Sequence, residues 1–172
     1  MNKTRNPLRL NVGFIIHETP GYTRDFEFDF PHLELPPDLP VKDFKGKISF
    51  SRTQKGLLAD ASLTAVLPLQ CVRCLEPILN TITSNFSELF VFEGGADDEA
   101  EVIIPEEGII DLAPIIREYL LLDMSHKPVC KEDCAGLCPV CGANRNKTQC
   151  DCKTDDIDPR LSKLKELLDN DE

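Results

Sequence analysis

The 172-residue sequence has no opening run that joins basic residues to an apolar stretch of signal-peptide length. No apolar segment reaches the roughly 20 residues that a membrane span needs. The expectation is a cytoplasmic protein with no membrane partner. The chain also lacks a glycine-rich phosphate loop, a nucleophile elbow and an H-E-x-x-H helix. Histidine is scarce, and His17, His32 and His126 are scattered. Only His126 lies near cysteines, and its place just before Pro128 reads as surface. A catalytic zinc keeps an open position and commonly uses histidine or carboxylate, so this set offers it little. Carboxylates abound, but a surplus is not a catalytic pair. The expectation is a protein that is not an enzyme and takes no small-molecule substrate. No internal repeat is evident.

An excess of positive charge is missing as well: the formal net charge is -11. If eight thiolates held two zinc ions, each site would add 4(-1)+2 = -2 and bring the total to about -15. Such a surface repels phosphate backbones and suits basic partners. Hydrophobic content is 41%, and 13 prolines imply many loops. The length still allows a real core, so metal would not be the sole means of folding.

The apolar pattern is mainly that of strands. Residues 8–17 read as a first strand, ended by Pro20-Gly21. Between Arg24 and Phe30, Phe26, Phe28 and Phe30 alternate with Asp25, Glu27 and Asp29, the mark of a half-buried strand. The proline-rich stretch 31–40 reads as a loop, since Pro36-Pro37 cannot sit inside a ladder. Residues 45–52 form the next strand and 53–56 its turn. In 57–70, Leu57, Ala59, Ala61, Leu63, Ala65, Leu67 and Leu69 make the best period-two pattern of the chain, with Cys71 continuing that face. Residues 78–92 resume as a strand, which leaves Cys71 and Cys74 in a hairpin turn. The acidic stretch 94–107 is a solvated loop around a short strand at 102–104. A helix over 111–124, capped by Asp111 with Pro114 in its first turn, carries Leu112, Ile115, Ile116, Tyr119 and Leu120 at helical spacing. Asp158-Pro159 starts a short C-terminal helix with a stripe of Leu161, Leu164, Leu167 and Leu168. The expected fold is α+β: an antiparallel sheet, barrel-like if it closes, with one packing helix, a cysteine-rich zinc module and that last helix. Residues 1–125 are the expected β-rich core domain and 126–172 the zinc module.

Cysteine is abundant and clustered. Six of the 8 cysteines fall between Cys130 and Cys152, and Cys71 and Cys74 form a separate C-x-x-C. In a reducing cytosol such spacing speaks for metal ligands over disulfides. A structural zinc needs four soft ligands converging tetrahedrally, and a C-x-x-C turn supplies two from one loop. Cys138, Cys141, Cys150 and Cys152 are assigned to site one. Cys71, Cys74, Cys130 and Cys134 are the simplest grouping for site two, although a crossed arrangement satisfies the same counts. The tight C-x-C spacing leaves room for Cys150 or Cys152 to be a spectator. One or two zinc ions are expected. Iron–sulfur ligation uses other typical spacings, and a redox switch releasing zinc on thiol oxidation would use the same ligands. Arg73, Lys131, Arg145 and Lys147 could touch RNA phosphates from the knuckles, but Glu132, Asp133 and Asp151 intervene, so an ordinary solvated surface is the plainer reading.

Several motifs together resemble one family. They are Cys71-Val-Arg-Cys74-Leu-Glu-Pro after a strand, an Asp-Leu-led helix, then Cys-x-x-x-Cys-x-Gly-Leu-Cys-Pro-Val-Cys-Gly-x-Asn, Cys-x-Cys and Asp-Pro-Arg-Leu-x-x-Leu. In this order they resemble the YceD family, the large ribosomal RNA subunit accumulation proteins, over nearly the whole chain. The resemblance implies a role in 23S rRNA accumulation and large-subunit assembly, with a ribosomal protein, a pre-50S particle or rRNA as partner. An acidic factor could hold a basic ribosomal protein and deliver it. A reading of another class is a thiol redox sensor or redox-regulated chaperone.

Overall fold

The computed structural model describes residues 6–92 and 102–152. These divide into two compact units, one running to Leu69 and again from Pro77 to Pro128, the other comprising Gln70–Glu76 and the residues from Val129 onward. The expected C-terminal helix from Asp158, with its leucine stripe, lies outside the described residues, as does most of the acidic stretch.

The first unit is built on long strands. These are β2 (Thr23–Leu35), β3 (Leu39–Arg52), β4 (Gly56–Gln70), β5 (Pro77–Val91) and the two-residue β6 (Val102–Ile103). They form one open sheet in the order β2-β3-β4-β5-β6. The sheet does not close among the described residues, so the barrel-like expectation is corrected. It is also mixed, because β6 pairs parallel to β5 through Phe90–Val102 and Val91–Ile103. A second, two-stranded sheet joins β1 (Arg9–Asn11) to β7 (Ile109–Asp111).

Strand β4 follows its sequence pattern up to Leu67, with Leu69 half-buried. Leu57, Ala59, Ala61, Leu63, Ala65 and Leu67 are buried, while Asp60 and Ser62 between them are exposed. Phe28 is buried too, flanked by the partly buried Phe26 and Phe30 of the same face. In β3, Val41 and Phe44 are both buried although they lie three residues apart. A register shift between Lys42 and Lys45, with Asp43 at φ 46°, makes this possible. The bulge adds a residue and returns the next side chain to the core face.

Two expectations near the N-terminus change. Residues 8–17 are not one strand: β1 gives way to the short helix α1 (Gly13–Ile16). The buried residues Leu8, Val12 and Ile15 follow helix-like steps of four and three. The predicted loop over 31–40 is mostly strand, because β2 runs to Leu35 and β3 begins at Leu39. Pro31 is accommodated because β2 lies at the sheet edge, where a missing N–H need not break an internal ladder. Only Pro36, Pro37 and Asp38 remain as the connection.

Helix α2 (Ala113–Asp123) completes the unit. The Asp111 carboxylate accepts the Ala113 N–H at 3.0 Å, and Pro114 sits in the first turn. Ala113, Ile116 and Leu120 are buried. Tyr119 stacks on Phe86 of β5 with ring centroids 4.0 Å apart, and its hydroxyl donates to Glu88 at 2.9 Å. No helix among the described residues is long and apolar enough to cross a membrane.

Candidate metal centres

The second unit contains all eight cysteines. Its two C-x-x-C segments fold into the same turn. In the first, the Cys71 N–H donates to the Glu76 carbonyl and the Leu75 N–H donates back to the Cys71 carbonyl, each at 2.9 Å. In the second, the Cys138 N–H donates to the Ala143 carbonyl at 2.8 Å and the Gly142 N–H to the Cys138 carbonyl at 2.9 Å. The residue after the second cysteine is left-handed in both, with φ 59° at Leu75 and 72° at Gly142. This conformation reverses the chain, so backbone amides within the turn point at the sulfurs.

The thiols converge in two sets of four. Cys71, Cys74, Cys130 and Cys134 form one, and Cys138, Cys141, Cys150 and Cys152 the other. Within each set the ligand atoms all lie within 4.8 Å of one another. Four sulfurs at about 2.3 Å from a tetrahedrally coordinated zinc stand about 3.8 Å apart. The Cys71 and Cys134 sulfurs are separated by 3.8 Å, those of Cys74 and Cys130 by 3.6 Å. The donor set and its spacing therefore fit a single tetrahedral ion that prefers thiolate, and neither Cys150 nor Cys152 stands apart from its set.

Electrostatics within each set is uneven. Burial pushes the Cys71 thiol up, but the amides of Cys74, Cys130 and Arg73 outweigh it and hold it at about 6. Amides of Cys141 and Val140 bring Cys138 to about 6 as well. Burial also opposes ionisation of Cys134, but the Asn146 side chain and the Gly136 amide lower it. Cys130, though the residue is exposed, is pushed up to about 12 by desolvation of its sulfur and by its thiol neighbours, and Cys152 up to about 12 chiefly by Cys141. The pattern is that of anions crowded together: the first thiolates are stabilised and the remainder resist. A divalent cation removes that conflict and favours all four thiolates together.

The two sets differ in shielding. Three thiols of the first are buried, with only Cys130 exposed. In the other, Cys138 alone is buried, Cys150 is half-buried, and Cys141 and Cys152 are exposed.

Of the four cations that could touch RNA, three are engaged inside the unit. The Arg73 guanidinium donates to the carbonyls of Glu132 (3.0 Å) and Cys134 (3.1 Å). Lys147 pairs with Glu76 at 2.6 Å, and Lys131 with Asp133 at 3.6 Å. Arg145 is exposed and has no side-chain partner among the described residues.

Sequence reasoning missed the groups that orient the ligands. Asn146 donates to the Cys134 sulfur at 3.3 Å, and its amide oxygen accepts the Ala135 N–H at 2.9 Å. Asn144 reaches Glu76 at 3.2 Å. Gly136, at φ 70°, allows the Leu137 N–H to reach the Arg73 carbonyl at 3.0 Å. An added Cβ at Gly136 would lie 3.1 Å from that oxygen. The asparagines fall at positions 144 and 146, just beyond Cys141, and that proximity was the available signal.

Comparison with known proteins adds the relationship. A model of the family described as "Large ribosomal RNA subunit accumulation protein YceD" matches residues 59–168. An uncharacterized protein of Mycobacterium tuberculosis (strain ATCC 25618 / H37Rv) is 34% identical over 118 residues, covering 66% of this chain and 56% of the relative. The "Large ribosomal RNA subunit accumulation protein YCED homolog 1, chloroplastic" of Arabidopsis thaliana is 30% identical over 146 residues, covering 67% of this chain and 46% of the relative. An uncharacterized protein of Bacillus subtilis (strain 168) is 30% identical over 115 residues, covering 66% and 67%. The chain thus spans about half the length of the first two relatives. No solved structure matches it.

Proposed function

The chain belongs to the YceD family, and from that premise we propose that it is a non-enzymatic cytoplasmic factor supporting 23S rRNA accumulation and large ribosomal subunit assembly. Two structural zinc ions, each held by four thiolates, shape its second unit. The convergence of eight thiols into two tetrads carries the metal reading. With all four positions occupied by thiolates, neither ion has an open position for catalysis. The names of the plant relatives support the link to ribosomal RNA accumulation.

The direct partner is a basic large-subunit protein or the precursor particle that contains it. The net charge of -11 supports a protein over bare RNA, since phosphate would be repelled at long range. Deleting the gene and measuring 23S rRNA, with and without the wild-type chain supplied in trans, tests the role. Unchanged 23S rRNA in the deletion would refute it. Elemental analysis of protein purified without added metal tests the chemistry, with two zinc per chain expected.

One observation favours a second reading. The exposure of Cys141 and Cys152 suits a thiol sensor that releases zinc on oxidation. Reversible loss of zinc and of function at low peroxide would support that reading.

A further inference from the structure

The two cysteine turns share their hydrogen bonds and their left-handed fifth residue but differ in what occupies that position. Gly142 fills it in one and Leu75 in the other, at φ 59°. Left-handed backbone is unfavourable for a bulky L-residue, and glycine relieves it. An added Cβ at Gly142 meets nothing within 4 Å, so that turn needs no side chain there. Leu75 is nevertheless 54% exposed and takes no part in the hydrophobic core. Its neighbour in the same turn, Val72, is 51% exposed. The chain therefore holds a leucine in a costly conformation and leaves half of it in water. Neither the turn nor the core accounts for that choice, and strain of this kind collects at functional positions.

We propose that Leu75, with Val72, is the apolar anchor on which a basic polypeptide segment docks. This rests on the reading of the chain as a metal-bearing assembly factor. The occupant follows from charge. Among the described residues of the second unit, Arg73, Lys131, Arg145 and Lys147 balance Glu76, Glu132, Asp133 and Asp151, giving zero. Two four-thiolate zinc sites, at -2 each, bring the unit to -4. Three of the four cations are already bonded within the unit. With both sites filled, the described part of the unit that carries the anchor is therefore net negative, which attracts Lys- and Arg-rich protein and repels RNA. Apolar contact supplies affinity and the acidic surround supplies selection.

The test uses the full, zinc-loaded chain, intact purified large ribosomal subunits, and the proteins salt-extracted from them. A photo-crosslinking amino acid at position 75 should capture one or a few basic subunit proteins. The same group at Leu79, which is 64% exposed on β5, should capture none of them. Capture of rRNA from intact subunits in place of protein, or equal capture from both positions, overturns the proposal. Leu75→Gly should weaken binding of the captured protein about 10- to 100-fold, the equivalent of burying one leucine. The same variant should keep two zinc per chain and melt about 2–4 °C higher, as the strain is relieved. A purely structural leucine would instead lose metal or melting temperature, and either loss refutes the docking role. In the deletion strain, failure of the wild-type chain to restore 23S rRNA would sink the assembly reading itself. Full restoration by both chains would sink only the anchor.

Discussion

Replacing one ligand in each tetrad should give unequal losses of stability, because ions held at the two tetrads would close chain loops of different length. In the set containing Cys71, the sulfur pairs join residues 63 and 56 positions apart. In the other set, Cys138 to Cys152 spans 14 positions and Cys141 to Cys150 spans 9. A cross-link restricts the unfolded chain by an entropy that grows with the logarithm of the loop. At 25 °C it is worth about 4 kcal/mol for the long loop and about 3 kcal/mol for the short one. Cys71→Ser and Cys138→Ser should each reduce zinc from two equivalents to one. Cys71→Ser should then be less stable than Cys138→Ser by about 1–2 kcal/mol. With an ordinary urea dependence for a chain of this size, the unfolding midpoints differ by about half a molar.

Far-UV circular dichroism during urea unfolding, with a zinc count by a colorimetric chelator on the same samples, reads both quantities. The order of the two midpoints is the sensitive result. Equal midpoints, or a lower one for Cys138→Ser, would refute the loop argument. Two zinc retained in either variant would refute the assigned ligand set.

Asn146→Ala removes the donor to Cys134 and should weaken zinc at that tetrad about 10- to 100-fold, read by chelator competition, while the other zinc is unaffected. Dilute peroxide should release zinc in two phases, the faster from the set containing the exposed Cys141 and Cys152, with alkylation mapped by mass spectrometry. The Tyr119 hydroxyl is raised above the ordinary tyrosine range, first by its hydrogen bond to Glu88 and then by burial. A raised folded value favours the protonated form, so this contribution to stability is present below the unfolded pKa near 10 and is lost as pH rises through the folded value. Ultraviolet titration should show one tyrosine ionising late in the wild type and at a more ordinary pH in Glu88→Gln; identical curves would refute the bond. Gly56→Ala drives a Cβ into the Phe90 carbonyl and should cost about 1–3 kcal/mol in a melting experiment.

The fold was legible where one face of a strand meets the core and the other meets water. Strand β4 alternates for that reason, and its boundaries and face followed directly. Residues 8–17 were not legible, because a short apolar run fits either period and only the burial of Leu8, Val12 and Ile15 decides. Pro36-Pro37 do lie in the connection, but extending the loop over 31–40 misled, since the tolerance of Pro31 depends on β2 lying at the sheet edge, and local sequence does not encode that. The parallel pairing of β6 rests on two residues and a topology, again beyond local pattern. At the site, ligand types and the two C-x-x-C turns were readable from spacing. Counting gave Cys71 and Cys74 with Cys130 and Cys134 as the simplest grouping, but choosing it over a crossed arrangement required the chain path, as did the roles of Asn146 and Gly136. Leu75 was visible but mute. Only its left-handed backbone, set beside Gly142, distinguishes it.

The basic side chains show how far the role of a cation depends on its partners. Arg73, Lys131 and Lys147 sit on or near cysteine turns, where an RNA-binding knuckle would carry them. Arg73 instead holds the carbonyls of Glu132 and Cys134, bracing the segment that supplies two ligands to its own tetrad. Lys147 holds Glu76, whose carbonyl closes the first turn, and so braces that turn from the other side. These cations offset carboxylates and carbonyls beside the tetrad that contains Cys71. Drawing them out to bind phosphate would expose those acceptors and unbrace the turns. Three of the four described cations of the second unit thus brace it and are not free to grip a polyanion. If Arg73→Gln lowers metal affinity while leaving any RNA binding unchanged, the bracing role holds. Loss of RNA binding with both zinc ions retained would reverse it.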